Sequence, residues 1–163
     1  MSYVNNGSDI YKESFRIIRE EADLARFPAD VERVVVRMIH AAADPAIAGD
    51  IAFTPGVVEA TRRALASGAN ILCDSSMTAT GIIRSRLPEG VQVVCHIKEP
   101  HLAELAKRND TTKTCAAVDL WAAEDHLDGA VVAIGNAPTA LFHLLEVCEQ
   151  TGAGPPAGFG LPV

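Results

Sequence analysis

The sequence lacks an excess of basic residues: 14 Lys and Arg stand against 21 Asp and Glu among 163 residues, a formal net charge of −7. Non-specific binding to nucleic acid or to an anionic membrane surface needs a basic field, so this composition argues against both. No apolar run approaches the roughly 18 residues of a membrane span. Residues 1–10 show neither the basic nor the apolar region of a secretory signal. We therefore expect a cytoplasmic protein that needs a local basic patch for any anionic ligand.

Several common functional motifs are also missing. The four cysteines have no Cys-x-x-Cys spacing, so they indicate buried reduced thiols and give no support for a metal site. There is no GxGxxG dinucleotide fingerprint, no GxxxxGK[ST] phosphate loop and no GxSxG nucleophile elbow. We therefore predict neither a metal nor a bound cofactor.

The sequence does contain apolar strand-like runs that alternate with helical segments. Strands are predicted at 70–74, 91–97, 130–134 and, at the end, 157–163. Helices are predicted at about 8–24, 31–43, 57–67, 99–108, from a cap at 110–112 through Trp121, and at 139–150, whereas 75–86 is either a helix or a partly helical loop. Such alternation is typical of a mainly parallel sheet with helices on both faces. The prediction is one α/β domain over residues 1–163, in which two N-terminal helices precede a Rossmann-like part.

The segment 31–43, VERVVVRMIHAAA, is too long and too rich in alanine for a strand. One face of the predicted helix is apolar and carries Val31, Val35, Met38 and Ala42. A second face repeats the i, i+4, i+7 spacing with Arg33, Arg37 and His40. A cationic face beside an apolar one suits an anionic ligand with a large hydrophobic body. His40 is a candidate for proton transfer near neutral pH, while the ordinary alternative is a solvated face with a structural histidine.

The first predicted helix has its apolar stripe at Tyr11, Phe15, Ile18 and Ala22. Ser14 lies three residues after Tyr11 and four before Ile18, so it borders the buried face. A small hydroxyl there either tolerates crowding or offers a hydrogen bond at the edge of a pocket.

Two later helix starts are candidate anion sites. In GNAPTAL, residues 135–141, a strand leads into a helix and leaves backbone N–H groups near Asn136, which either hold a carboxylate or phosphate or form a plain capped turn. Thr112 and Lys113 stand at another helix start, as a cap or as an anion contact. Asp74, at a strand end, is either catalytic or a cap. Surface or packing positions are predicted for His101, His126 and His143, and a core position for Trp121.

An ordered set of segments resembles the precorrin-8X methylmutase (precorrin isomerase) family, which has a close relative acting on cobalt-precorrin-8. The segments are YKESFRIIREEADL (11–24), VRMIHA (36–41), ILCDSSM (71–77), RSRLP (84–88), AVVAIGNAPTALFHLLE (130–146) and GLPV (160–163). The resemblance implies a homodimeric α/β enzyme of cobalamin biosynthesis that moves a methyl group from C-11 to C-12 of the macrocycle. It implies a tetrapyrrole polycarboxylate substrate, precorrin-8X, held near the dimer interface, and a corrin product, hydrogenobyrinic acid.

The resemblance also implies roles for particular residues. His40 matches the family's proton donor or acceptor, and Ser14 and Arg37 match substrate contacts. The helix starts at Thr112 and Asn136 would take further carboxylates. Lys113 stands where the family commonly has arginine, so it keeps the charge but not the bidentate geometry.

Some departures keep other hypotheses open. Ala42 and Ala43 replace a common Cys-Gly, and Ile83 replaces a usual threonine. Family members continue past the GLPV segment for several tens of residues, so we expect this chain to lack the family's C-terminal segment. The alternatives are a non-catalytic corrinoid binder, a cobalt-precorrin-8 methylmutase and a small-anion-binding Rossmann-like module.

Overall fold

The structure is a computed structural model that describes residues 5–124 and 127–160. The predictions for His126 and for residues 161–163 lie outside the described residues. The chain divides into two compact units, one up to Val58 and one from Glu59 onward. The single-domain interpretation stays a prediction.

The first unit is a pair of packed helices followed by a 3₁₀ turn. Helix α1 spans Gly7–Glu21, helix α2 spans Ala29–Ala42 and the 3₁₀ turn spans Pro45–Gly49. Asn6 caps α1, because its side-chain oxygen accepts hydrogen bonds from the amides of Ser8 and Asp9. Helix α2 ends where Ala43 turns into the left-handed region at φ 55°.

The core of the first unit lies between α1, α2 and the segments that flank them. Its buried residues are Ile18, Phe27, Val31, Val35, Val36, Ile39 and Ala48. Val31 and Val35 are buried, as the sequence pattern predicts. The buried stripe of α2 then continues through Val36 and Ile39 rather than through the predicted Met38 and Ala42, which are half-buried and exposed. In the second half of α2, the buried positions are therefore shifted from the predicted Met38 and Ala42 to Val36 and Ile39.

The second unit contains a four-stranded, all-parallel sheet in the order β2-β1-β3-β4. The strands are β1 (Ile71–Cys73), β2 (Val93–Val94), β3 (Val131–Ile134) and β4 (Ala157–Gly160). The helices are α3 (Val57–Ala66), α4 (Ser76–Gly81), α5 (Leu102–Arg108), α6 (Lys113–Ala123) and α7 (Pro138–Thr151), with 3₁₀ turns at Arg84–Arg86 and His96–Lys98. This confirms the predicted α/β fold with its parallel sheet and two preceding helices.

Both faces of the sheet are covered. Successive side chains of a strand point to opposite faces, so consecutive buried residues such as Ile71, Leu72 and Cys73 need packing on both sides. On one face, Leu72, Val132 and Ile134 pack with the fully buried Trp121 of α6 and with Leu144 of α7. On the other face, Ile71, Cys73 and Val131 pack with Leu65 of α3 and Ala79 of α4. The predicted core position of Trp121 is confirmed.

Two predicted elements are shorter than expected. The strand predicted at 91–97 keeps only Val93–Val94, because the chain enters a 3₁₀ turn at His96. The helix predicted from Glu99 begins at Leu102. Pro100 disfavours helical backbone at the residue before it, and Glu99 is extended, with ψ 133°.

All four cysteines, Cys73, Cys95, Cys115 and Cys148, are free thiols. Burial raises the pKa of Cys73 to about 12, so this thiol stays protonated and unreactive.

Within 5–124 and 127–160, no three His, Cys, Asp or Glu side chains are grouped to hold a metal ion. No helix in those ranges is long and apolar enough to cross a membrane.

His143 links helices α6 and α7 through both nitrogens of its ring. Its Nε2 lies 2.6 Å from Asp119 Oδ1 on α6, and its Nδ1 lies 3.2 Å from Glu146 Oε2 on its own helix. Burial lowers the pKa of His143, but the hydrogen bonds to the two carboxylates outweigh burial and raise the pKa above its ordinary value. The imidazolium form therefore fits this position better than the neutral ring does.

This link predicts a pH-dependent contribution to stability. A raised folded-state pKa gives stabilisation that is fully present below the unfolded-state value and is lost as the pH rises through the folded-state value. We expect His143→Gln to lower the free energy of unfolding more at about pH 5.5 than at about pH 9. Urea unfolding of both proteins at the two pH values measures this, and an equal loss at both would show that the charge of His143 does not contribute.

Candidate active site

The first unit joins Ser14 and His40 by a hydrogen bond of 2.7 Å between Ser14 Oγ and His40 Nδ1. Ser14 faces α2 from the edge of the packed face of α1, and His40 lies in the last turn of α2. Either the hydroxyl donates to a bare Nδ1 or it accepts from Nδ1–H, depending on the tautomer. His40 Nε2 makes no hydrogen bond to any of the residues that the structure describes. The imidazole is thus held at one nitrogen and open at the other.

Two aromatic rings of α1 pack against this imidazole. The Tyr11 ring centroid lies 4.9 Å from that of His40 at an interplanar angle of 39°, and the Phe15 centroid lies 5.4 Å away at 90°. The Tyr11 and Phe15 centroids are 5.7 Å apart. The sequence analysis missed these contacts, because it assigned both rings to an apolar core stripe, whereas Tyr11 is 50% exposed. The available signal was their spacing, since Tyr11 and Phe15 flank Ser14 on one helix face.

Arg37 places a positive charge over the Phe15 ring, which also packs against the imidazole. It lies one turn before His40 on α2, with its guanidinium carbon 5.4 Å from the centroid of the Phe15 ring. Arg16 and Arg19 of α1 are paired with glutamates, whereas the exposed Arg37 has no carboxylate partner in the described part of the chain. The Arg37 fork is therefore available to an anionic ligand.

Together, these residues have the features needed for proton transfer to an anionic ligand. The imidazole can give or take a proton at the open Nε2, the guanidinium can pair with a carboxylate, and the rings offer apolar surface. Ser14, Arg37 and His40, which the sequence analysis selected, are thus brought together by α1 and α2. Arg33, on the same face of α2, is exposed.

In the second unit, the side chain of Asp74, the residue directly after β1, binds the turn that follows β3. Its fully buried carboxylate accepts hydrogen bonds from the amides of Gly135 (3.1 Å), Asn136 (2.9 Å) and Ala137 (2.8 Å). It also accepts one from the Thr78 hydroxyl at 3.0 Å. Strands β1 and β3 are parallel neighbours, so the residue after β1 reaches the turn after β3. Asp74 is therefore an internal cap of this turn.

Of the two alternatives for the turn at Asn136, this finding favours the capped turn, since Asp74 already binds the amides there. A ligand contact from Asn136 would have to come from its exposed side chain. Gly135 is also constrained, because a Cβ there would lie 2.7 Å from the Thr78 hydroxyl oxygen.

Thr112 and Lys113 stand at the start of α6, beside the start of α7. Thr112 Oγ1 accepts from the amide of Cys115 at 3.1 Å, which confirms its capping role. The Thr114 hydroxyl lies 3.0 Å from that of Thr112 and 3.3 Å from that of Thr139 at the start of α7. Lys113 is exposed. The three predicted residues of this unit, Thr112, Lys113 and Asn136, thus stand at neighbouring helix starts, and their binding of a ligand stays a prediction.

The chain is similar to known proteins over nearly all of its length. The family profile described as precorrin-8X methylmutase matches residues 9–163. A precorrin-8X methylmutase of Pseudomonas aeruginosa is 45% identical over 100% of this chain and 77% of that protein. A cobalt-precorrin-8 methylmutase of Leptospira interrogans is 33% identical over 98% of this chain and 73% of that protein. A crystal structure of precorrin-8X methylmutase from Thermus thermophilus superposes with a TM-score of 0.85 at 40% identity, covering 96% of this chain and 75% of that one.

The capping role of Asp74 predicts a large effect of a small substitution. Asp74→Asn replaces one acceptor oxygen by an NH₂ group that faces backbone donors, so buried N–H groups lose their partner. We expect the free energy of unfolding to fall by about 2–4 kcal/mol. Urea unfolding measures this, with Asp128→Asn, at an exposed acid of the same unit, as the matched control. A loss for Asp74→Asn no larger than that of the control would contradict the assignment.

Proposed function

The chain belongs to the precorrin-8X methylmutase family and is an isomerase of cobalamin biosynthesis, and we propose that it moves a methyl group from C-11 to C-12 of precorrin-8X. The product would be hydrogenobyrinic acid, with His40 as the proton donor and acceptor. The observation that carries the proposal is the Ser14–His40 hydrogen bond, which anchors the imidazole at Nδ1, while Nε2 has no hydrogen-bond partner among the residues that the structure describes.

The proposed methyl migration needs few catalytic groups from the protein. The migrating methyl group starts and ends on the same macrocycle, so the reaction needs no external methyl donor, nucleophile or hydride carrier. A proton delivered to the conjugated ring, and later removed, changes its electron distribution so that migration is favoured. A positioned imidazole performing both transfers contributes about 10²–10⁴-fold, and holding the macrocycle in one geometry supplies further acceleration.

Electrostatics supports a role for Arg37 in binding a polycarboxylate. The formal charge of −7 repels an anionic substrate, so attraction has to come from local cations. The exposed Arg37 guanidinium, one turn from His40, can hold a peripheral carboxylate by two parallel hydrogen bonds. Thr112, Lys113 and the Asn136 side chain are proposed as further carboxylate contacts, with Lys113 acting as a point charge.

The cobalt-free substrate is the better-supported one. The relative named for precorrin-8X is 45% identical, whereas the relative named for cobalt-precorrin-8 is 33% identical. The homodimer and the cytoplasmic location that the sequence analysis expects stay parts of the proposal.

The proposal predicts loss of turnover without loss of binding when His40 is removed. Purified protein is mixed anaerobically with precorrin-8X, and the visible spectrum is followed to the corrin chromophore. We expect wild type to convert the substrate and His40→Ala to be slower by about 10²-fold or more. His101→Ala is the matched control, because His101 is an exposed histidine of the second unit, and it should keep the wild-type rate.

Each other outcome has a defined meaning. Equal conversion by wild type and His40→Ala would rule out His40 as the acid and base. Binding by both proteins without conversion by either would favour a corrinoid binder. Absence of binding would favour the small-anion module.

A further inference from the structure

Tyr11 has no assigned role, yet its ring lies nearer to the His40 imidazole than any other aromatic ring of the described residues. The ring centroids are 4.9 Å apart at 39°, while Phe15 meets the same imidazole edge-on at 5.4 Å. We propose that Tyr11 is a positioning residue, whose ring holds the His40 imidazole in the orientation that Ser14 requires. The kinetic part of this proposal rests on the proposed function.

The need for such a residue follows from the torsions of histidine. The second side-chain torsion of histidine has a broad minimum, so the imidazole ring turns easily about its bond to Cβ. The single hydrogen bond to Ser14 fixes the position of Nδ1 but does not by itself define the plane of the ring. Tyr11 and Phe15 restrict that plane, because they pack against the imidazole at different angles. Phe15 alone would leave the rotation limited by one neighbour.

The exposure of Tyr11 indicates that its position is not explained by core packing. Tyr11 is 50% exposed and is not one of the residues that pack against the core of the first unit, whereas Phe15, one turn later, does pack against that core. The Tyr11 ring contacts the rings of Phe15 and His40. The hydroxyl has no hydrogen-bond partner in the part of the chain that the structure describes. The ring, rather than the hydroxyl, is therefore the group that acts on His40.

A kinetic comparison tests this with three variants. We expect Tyr11→Leu to lower kcat by about tenfold with KM within about twofold, because misplacement of the acid and base slows the chemical step. Tyr11→Phe keeps the ring and should restore kcat to within about twofold of wild type. Ile10→Ala is the matched control, because Ile10 is a comparably exposed apolar residue of α1, 46% exposed, with no recorded contact to His40.

A second measurement does not depend on turnover. Long-range ¹H–¹⁵N spectra of the histidine ring, assigned with His40→Ala, report which nitrogen carries the proton. We expect one dominant tautomer of His40 in wild type and in Tyr11→Phe, and ring-nitrogen shifts that move toward each other in Tyr11→Leu. Far-UV circular dichroism shows that each variant is folded.

Several outcomes would overturn the proposal. Tyr11→Leu with wild-type kcat and an unchanged tautomer would show that the ring does not position His40. A loss in Tyr11→Phe as large as in Tyr11→Leu would assign the effect to the hydroxyl. A raised KM with unchanged kcat would make Tyr11 a substrate contact only. If wild type itself fails to turn over, the proposed function fails, and the spectra still decide the role of Tyr11.

Discussion

The hydrogen bond between Ser14 and His40 holds together the candidate active site of the first unit. It exists because α1 and α2 pack through Ile18, Val35 and Ile39, which brings residues 26 positions apart in the sequence to 2.7 Å. The same packing places the rings of Tyr11 and Phe15 against the imidazole, whose second nitrogen has no hydrogen-bond partner within the described part of the chain. The apolar core thus determines the geometry of a polar pair that could not hold this geometry alone.

Charge is distributed in a way that suits a polycarboxylate despite the acidic composition. Arg16 and Arg19 are paired with glutamates on the surface of the first unit, where such pairs contribute little to stability. Arg37 has no such partner among the described residues and lies one helical turn before the proposed acid and base on α2. In the second unit, the backbone amides of the β3–α7 turn are not available to an anion, because they already donate to the Asp74 carboxylate. The exposed cations Arg37 and Lys113, rather than the backbone amides at that turn, are therefore the charged groups that we propose for anion binding.

Spacing along single helices made part of this predictable from the sequence. Arg37 and His40 share a face of α2 by their three-residue separation, and the apolar strands predict the parallel sheet. Contacts between elements were not predictable in this way. The hydrogen bond that the Asn136 amide donates to Asp74 depends on which strands are neighbours. The approach of Tyr11 to His40 depends on how α1 and α2 pack. The shift of the buried stripe of α2 to Ile39 is also a tertiary effect, because α1 decides which residues it covers.

If Ser14 acts on the reaction only through His40, the two residues form one unit, and a double-mutant cycle on the single-turnover rate measures whether they do. The rates of wild type, Ser14→Ala, His40→Ala and the double variant are measured with precorrin-8X under anaerobic conditions. We expect Ser14→Ala to slow wild type by about tenfold and to leave the residual rate of His40→Ala unchanged. An equal loss from Ser14→Ala in both backgrounds would contradict this expectation, because Ser14 would then act on the reaction independently of His40.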